Sequence, residues 1–275
     1  ARIENVYRLS GRLYSGGEPQ GEAAFEALRN LGIRTIVTVD GARPDVETAR
    51  RYGLRYVHVP IGYDGVSREE ALKIVQAART LPGPVFIHCH HGKHRGPTAA
   101  ALCALAMEGW DRDQAREWMR LAGTAPEYRG LFDSIDRFRE PGEVDFGTIG
   151  GDLPETVPVP ALVEAMVALD ECFDRVRAIR ASGYRAPTDQ PDLELAHEAL
   201  LLEDHFREVR RLPETIDRGE GFLRLLDESS ELVAEFKAVL QAHGASRSRE
   251  TSSRLDRLFR GIERRCKGCH AAYRD

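Results

Sequence analysis

The stretch PVFIHCHHGKHRG, Pro84 to Gly96, decides the reading of the first half of the chain. A β-branched and aromatic run of strand length ends at Cys89, and Arg95 follows just ahead of a small-residue segment, Thr98 to Gly109, of helical length. A loop placed between a strand and a helix turns backbone amides on an anion. The helix behind it adds the positive end of its dipole, and a planar guanidinium grips two oxygens of a tetrahedral oxyanion at once. The same field favours the thiolate form of Cys89, the form that acts as a nucleophile. Gly92 in mid-loop permits the tight turn that a side chain would obstruct. His90, His91, Lys93 and His94 make the loop strongly basic.

Outward from this loop, IRTIVTVD (Ile33 to Asp40) and RYVHVPI (Arg55 to Ile61) read as two further strands. Helical patterns at Glu22 to Asn30, Pro44 to Tyr52 and Arg68 to Thr80 separate the three, and others follow at Asp111 to Ala122 and Glu127 to Phe138. The alternation argues for an α/β domain with a central, mostly parallel sheet flanked by helices. Ligands of such sheets sit beyond the carboxyl ends of the strands. Asp40, Asp64 and the Cys89 loop all fall at or just past such ends.

The texture changes at PGEVDFGTIGGDLPETVPVP, Pro141 to Pro160, which is rich in glycine and proline and has no period, as in a linker. Beyond it lie four amphipathic patterns, Ala161 to Ala181, Leu193 to Leu212, Gly221 to Ala242 and Ser252 to Tyr273, the natural material of an all-α four-helix bundle. The expected organisation is a first domain over 1–145, a linker over 146–158 and a bundle over 159–275. The last helix carries CKGCH, which places Cys266, Cys269 and His270 on one helical face. Two thiols at that spacing suit thioether bonds to one haem, with the adjacent imidazole reaching its iron. A zinc reading of either cysteine cluster lacks the second ligand pair of structural zinc motifs.

His88, Cys89, Gly92 and Arg95 complete the pattern H-C-x-x-G-x-x-R. With LYSGGEP near the start and VTVDGARP after the second strand, residues 5–140 resemble the cysteine-dependent protein tyrosine phosphatases, in particular their compact dual-specificity branch. The resemblance implies Cys89 as nucleophile toward phosphorus through a phosphocysteine, Arg95 as phosphate clamp, and an aspartate on a separate loop as general acid. Asp64 in PIGYDG is the candidate acid and Asp40 its rival. The loop residues His90, His91, Gly92, Lys93, His94 and Gly96 would surround the phosphate, with phosphotyrosine or highly charged inositol-type phosphates as substrates. The family carries serine or threonine directly after the arginine to assist release of the phosphocysteine; here that position is Gly96, with Thr98 two residues on. A phosphate-binding module without turnover is the alternative that this departure leaves open.

The second half, from about residue 158 to 275, resembles cytochrome c prime and cytochrome c556, whose haem is attached near the C-terminus of a helical bundle. That implies covalent haem c on Cys266 and Cys269, His270 as proximal iron ligand, and an apolar wall from Leu255, Phe259 and Ile262. Alignment of AMVALDECFDR with the family's first helix puts Met166 on the distal side, as a ligand or as ordinary core. The resemblance further implies maturation in the periplasm, an electron-transfer partner, gas sensing or redox regulation, and a homodimer through the bundle.

The 275 residues carry a net charge of −5, and neither half has the basic excess of a nucleic-acid binder. The longest small or apolar run, Thr98 to Met107, is too short to cross a bilayer. The residues begin at Ala1 with no charged and apolar leader among them, so any export signal or anchor is expected to have been cleaved or trimmed, or never to have existed. Five cysteines are too few and too scattered for a disulfide scaffold, and Cys103 and Cys172 read as buried thiols.

Overall fold

The computed structural model describes residues 3–148, 152–243 and 248–273. Two compact units divide it, the first ending at Val159 and the second beginning at Pro160.

The first unit is an α/β fold around one mixed five-stranded sheet. Its strands are β1 (Tyr7–Arg8), β2 (Leu13–Gly16), β3 (Thr35–Thr38), β4 (Arg55–His58) and β5 (Val85–His88), in the order β1-β2-β5-β3-β4. β2, β5, β3 and β4 run parallel, and β1 joins β2 antiparallel with Tyr7 opposite Ser15. All four residues of β5 are buried, which is why the strand ahead of Cys89 reads as a continuous run rather than an alternating one. β1 and β2 escape a reading of the sequence, since two and four residues leave no period to detect.

Seven helices surround this sheet: α1 (Glu22–Asn30), α2 (Val46–Arg51), α3 (Arg68–Thr80), α4 (Arg95–Met107), α5 (Arg112–Leu121), α6 (Arg129–Arg137) and α7 (Glu143–Thr148). Reciprocal capping boxes start α3, through Ser67 and Glu70, and α5, through Asp111 and Gln114. α4 begins at Arg95 rather than at Thr98, because Pro97 stands in the first turn, where its missing N–H removes no helical bond. Every residue from Arg95 to Ala104 is buried, and the run of alanines lets the helix axis approach the sheet closely.

The segment read as a linker is not a bare connection. It contains α7, and Leu153 is buried in the core beneath the sheet. Ile149 to Gly151 lie outside the described residues.

Among its described residues, the regular elements of the second unit are all helices. Its long helices are α8 (Ala161–Ala181), α9 (Leu195–Arg211), α11 (Glu220–His243) and α12 (Arg249–Tyr273), and the short α10 (Pro213–Asp217) begins with a proline at a tolerated first-turn position. One core joins all four long helices through Leu169, Phe173, Phe206, Phe236, Leu255 and Phe259. Phe173 and Phe259 stack with ring centroids 4.9 Å apart, which brings α8 against α12. Two buried carboxylates on α9 are charge-paired: Glu198 with Arg175 of α8 at 2.7 Å, and Glu203 with Lys237 of α11. No described helix is long and apolar enough to cross a membrane.

Candidate active site

Cys89 directly follows β5 and is 3% exposed at the floor of the loop that leads into α4. The shape of the loop follows from what holds its carbonyls. His90 O accepts from the Glu18 N–H at 2.9 Å, His91 O from Asn5 Nδ2 at 2.8 Å, and Lys93 O from Thr124 Oγ1 at 2.8 Å. Three carbonyls held by remote segments leave the opposite edge of the loop to its amides, the arrangement of an anion-binding nest, and one of these amides, His90 N–H, donates to Asp40. Gly92 sits at φ +66°, and a Cβ there would collide with the backbone of Gly16 and Gly17. LYSGGEP is therefore the seat of the loop; a Cβ at Gly16 would meet the Phe86 ring at 2.7 Å, and one at Gly17 would stand 3.2 Å from the His90 carbonyl.

α4 starts at His94 without a side-chain cap and without an acidic residue in its first turn. Nothing on the helix itself neutralises its positive end. Arg95, 8% exposed, donates from Nη2 to Asp40 Oδ2 at 2.6 Å, and its guanidinium lies over the Tyr63 ring, 4.6 Å from the centroid. Its buried Nε has no hydrogen-bond partner. A buried guanidinium N–H without an acceptor is costly, and an oxyanion in the loop would supply one.

Asp40 is 2% exposed, and its carboxylate also accepts from the His90 N–H at 2.8 Å and the Ala42 N–H at 3.0 Å. Burial by itself would raise its pKa. The charge of Arg95 and the two amides outweigh that and hold it at about 2. Asp40 is thus ionised and enclosed, with no proton to give at neutral pH. Its place is as the anchor of Arg95, a role the sequence signalled only through the strand end that precedes it.

Asp64 is exposed, in the loop after β4. Its neighbour Tyr63 lies on Arg95, which brings this loop to the phosphate-type loop. Beneath it, Val66 N–H donates to Ser134 Oγ at 2.8 Å, and Ser134 donates to Gly130 O at 2.8 Å. A Cβ on Gly130 would collide with the Asp64 carbonyl. The Asp64 backbone therefore rests directly on α6, a support that no sequence pattern announced. Tyr63, Tyr128 and His94 form an aromatic wall: Tyr128 lies 4.6 Å from Tyr63 and 4.7 Å from His94 between ring centroids.

The basic residues of the loop do not act alike. His94 accepts the Ala125 N–H at Nδ1, 3.3 Å away. The His90 ring faces Glu18 at 3.3 Å and the His91 ring at 4.3 Å between centroids, while Lys93 is exposed. Thr98 is buried and donates its hydroxyl proton to His94 O at 3.0 Å, so that proton is committed to the backbone rather than to the sulfur. A Cβ at Gly96 would stand 3.0 Å from Cys89 N and 3.4 Å from Cys89 Sγ. Cys103 is fully buried, with its thiol pKa pushed well up by burial, and is inert for the same reason.

His88 is fully buried, and burial pushes its pKa down to about 4. The unfolded chain, with an ordinary histidine near 6.5, therefore takes up this proton first. The stability that neutral His88 provides is complete above about pH 6.5 and is lost as pH falls toward 4. We expect urea denaturation of the first unit to show a loss on the order of 3 kcal/mol across that window. His58, also buried and likewise lowered by that burial, adds in the same direction. A midpoint unchanged between pH 6.5 and 5, above the range of ordinary carboxylates, would contradict this.

No protein-family model matches the chain. The dual specificity protein phosphatase TpbA of Pseudomonas aeruginosa (strain UCBPP-PA14) is 32% identical over 127 residues, 45% of this chain and 56% of that protein. The first unit resembles a TpbA-type phosphatase domain. TpbA from a second strain of the species is 31% identical over the same length. The chain spans about half the length of these curated relatives. The crystal structure of P. aeruginosa TpbA aligns with a TM-score of 0.44 and 26% identity, covering 54% of this chain and 91% of that one. The core catalytic domain of the S. cerevisiae PP-IP phosphatase SIW14 aligns with a TM-score of 0.43 and 18% identity, over 50% and 88% of the two chains.

In the second unit, Cys266, Cys269 and His270 are half-buried, whereas Arg264, Arg265, Lys267 and Gly268 beside them are exposed. The CKGCH face is thus the face of α12 turned to the core. Cys266 and Cys269 pack against the same apolar cluster as Met166 and Ala165 of α8. Leu255, Phe259 and Ile262 are all buried in that cluster. Cys172 is buried and donates to Glu198 O at 3.4 Å, with its pKa pushed up to about 12 by burial.

Proposed function

We propose that the first unit hydrolyses phosphomonoesters through a phosphocysteine. The observation that carries this reading is the buried Arg95 Nε without an acceptor, set beside Cys89 under a loop with three of its carbonyls tied to remote segments. Cys89 Sγ attacks phosphorus while the bond from phosphorus to the leaving oxygen breaks, and Asp64 gives that oxygen its proton. Water then attacks the phosphocysteine with Asp64 as base, releasing inorganic phosphate and restoring the thiolate. Asp40 keeps the Arg95 fork oriented toward the transferring group. The aromatic wall of Tyr63 and Tyr128 suits an aryl ester such as phosphotyrosine, and the basic loop suits highly charged phosphates of the inositol type. With Gly96 lacking a hydroxyl and Thr98 committed to the backbone, the second step is the slow one.

Hydrolysis of p-nitrophenyl phosphate tests the reading, and phosphate binding without turnover would reduce the unit to a binding module. Asp64→Ala is expected to lower kcat by about 10²-fold with KM little changed. Gly130→Ala, which touches no substrate, should lower kcat in the same direction by lifting the acid loop from α6. Normal turnover in both variants would remove Asp64 as the acid.

For the second unit we infer a cytochrome c prime-like four-helix bundle carrying covalent haem c, matured in the periplasm. The inward, half-buried face of Cys266, Cys269 and His270 supports it, as does the apolar cluster that this face adjoins. Cys266 and Cys269 would anchor the group and His270 would ligate its iron, with Met166 on the distal side. Bound haem would supply an iron that changes oxidation state and takes up an electron or a gas. The pyridine haemochrome of protein made with the c-type maturation machinery is expected to show a c-type band, lost in Cys266→Ala/Cys269→Ala. A low-spin ferric spectrum that turns high-spin in Met166→Ala would establish methionine ligation; a high-spin wild type would make Met166 core.

A further inference from the structure

The segment between α7 and α8 runs along β4, the edge strand of the sheet, and is fastened there at four points. Leu153 is buried in the same cluster as Val57 and Val59. His58 N–H donates to Pro154 O at 2.9 Å, Val157 N–H donates to His58 Nδ1 at 3.2 Å, and Glu155 pairs with Arg50 of α2. The strap covers an edge whose backbone groups would otherwise stand open.

His58 does more than receive the strap. Its Nε2 lies 2.9 Å from the Asp40 carbonyl, which can only accept, so the proton is on Nε2 and Nδ1 is left as the acceptor that Val157 N–H needs. Both bonds require the same neutral tautomer. From Asp40 the connection continues through its carboxylate to Arg95 Nη2 and to the His90 N–H. A line of contacts thus runs from the strap through His58 to the Asp40 main chain, and from the Asp40 side chain to the guanidinium and to one amide of the phosphate-type loop.

We propose that the strap Leu153–Val157 is a working part of the anion site, and that His58 is a positioning residue that holds Asp40, and through it Arg95 and the His90 amide, in register. The proposal deepens the reading of this site as phosphate-binding and does not depend on turnover. Its burial pattern agrees: His58 and Asp40 are 1% and 2% exposed, so neither finds water as a substitute partner.

The test uses the full chain and two changes. Val157→Pro removes the donating N–H, and His58→Gln keeps a donor at the reach of Nε2 while losing the acceptor. In Val157→Pro, exchange of the His90 amide should quicken by about three- to tenfold, with core amides of β5 such as Phe86 unchanged. Inorganic phosphate should bind more weakly by a similar factor, and the double variant should be no worse than either single one. Leu153→Ala, which loosens the strap without touching these bonds, should act in the same direction and serves if Val157→Pro does not fold. Unchanged His90 exchange and phosphate affinity in the folded variants, or additive effects in the double variant, would overturn the proposal. A wild type that binds phosphate but hydrolyses no aryl ester, with the strap effects present, would sink the catalytic reading and leave this one standing.

Discussion

Cys89→Ser should abolish hydrolysis of p-nitrophenyl phosphate, by at least about 10⁴-fold, while inorganic phosphate still binds. Serine keeps the shape of the side chain, so the loop, its outward carbonyls and Arg95 remain in place. An alcohol holds its proton far more tightly than a thiol, and neither Asp40, bound to Arg95, nor His88, buried below the loop, is placed to take it. The nucleophile therefore disappears, and the binding site does not. Single-turnover kinetics with phosphate affinity measured alongside would check both halves. Residual turnover within tenfold of wild type would mean that Cys89 is not the attacking group.

Replacing Arg95 with lysine is expected to lower kcat/KM by about 10²- to 10³-fold. Lysine keeps a positive charge near Asp40 but loses the planar fork that grips two oxygens, so the loss measures geometry more than charge. Arg95→Ala is the harsher change. It leaves Asp40 enclosed without its cation, and removal of one partner from a buried pair costs about 3–5 kcal/mol. The carboxyl would then follow burial upward toward protonation, opposite to its present lowered value of about 2. Thermal unfolding of Arg95→Ala and Arg95→Lys separates the two costs: both should lose activity, and the alanine variant should lose far more stability. Equal stability would show that the Arg95–Asp40 pair does not hold the loop.

Much of the site could be read from the chain because its logic is local. A strand, a cysteine, a glycine turn, an arginine and a helix lie within about two dozen residues, and β5 and α4 occur where the run Pro84 to Met107 implies. α1 and α3 occur over the residues expected because their apolar spacing is also local, and α3 in addition starts at a capping box within its own first turn. What could not be read depends on contacts between remote segments. Gly130 matters because the Asp64 carbonyl rests on it, and Gly92 matters because the backbone of Gly16 and Gly17 does. Asp40 and Asp64 looked alike as strand-end aspartates before glycine; burial and the reach of Arg95, neither visible in a pattern, set them apart. Pro154 to Val157 read as linker because an edge strap takes its hydrogen bonds from one histidine and a few backbone groups, without any period.

The three outward anchors of the loop have a consequence for how the protein comes into being. The loop from Cys89 to Arg95 is synthesised mid-chain, but its fastenings are Asn5 and Glu18 far upstream and Thr124 well downstream. On the ribosome, the nucleophile exists before its cradle does. The sulfur emerges as an ordinary thiol and acquires its surroundings only when both flanks have closed around it, so competence is among the last properties this half of the polypeptide gains.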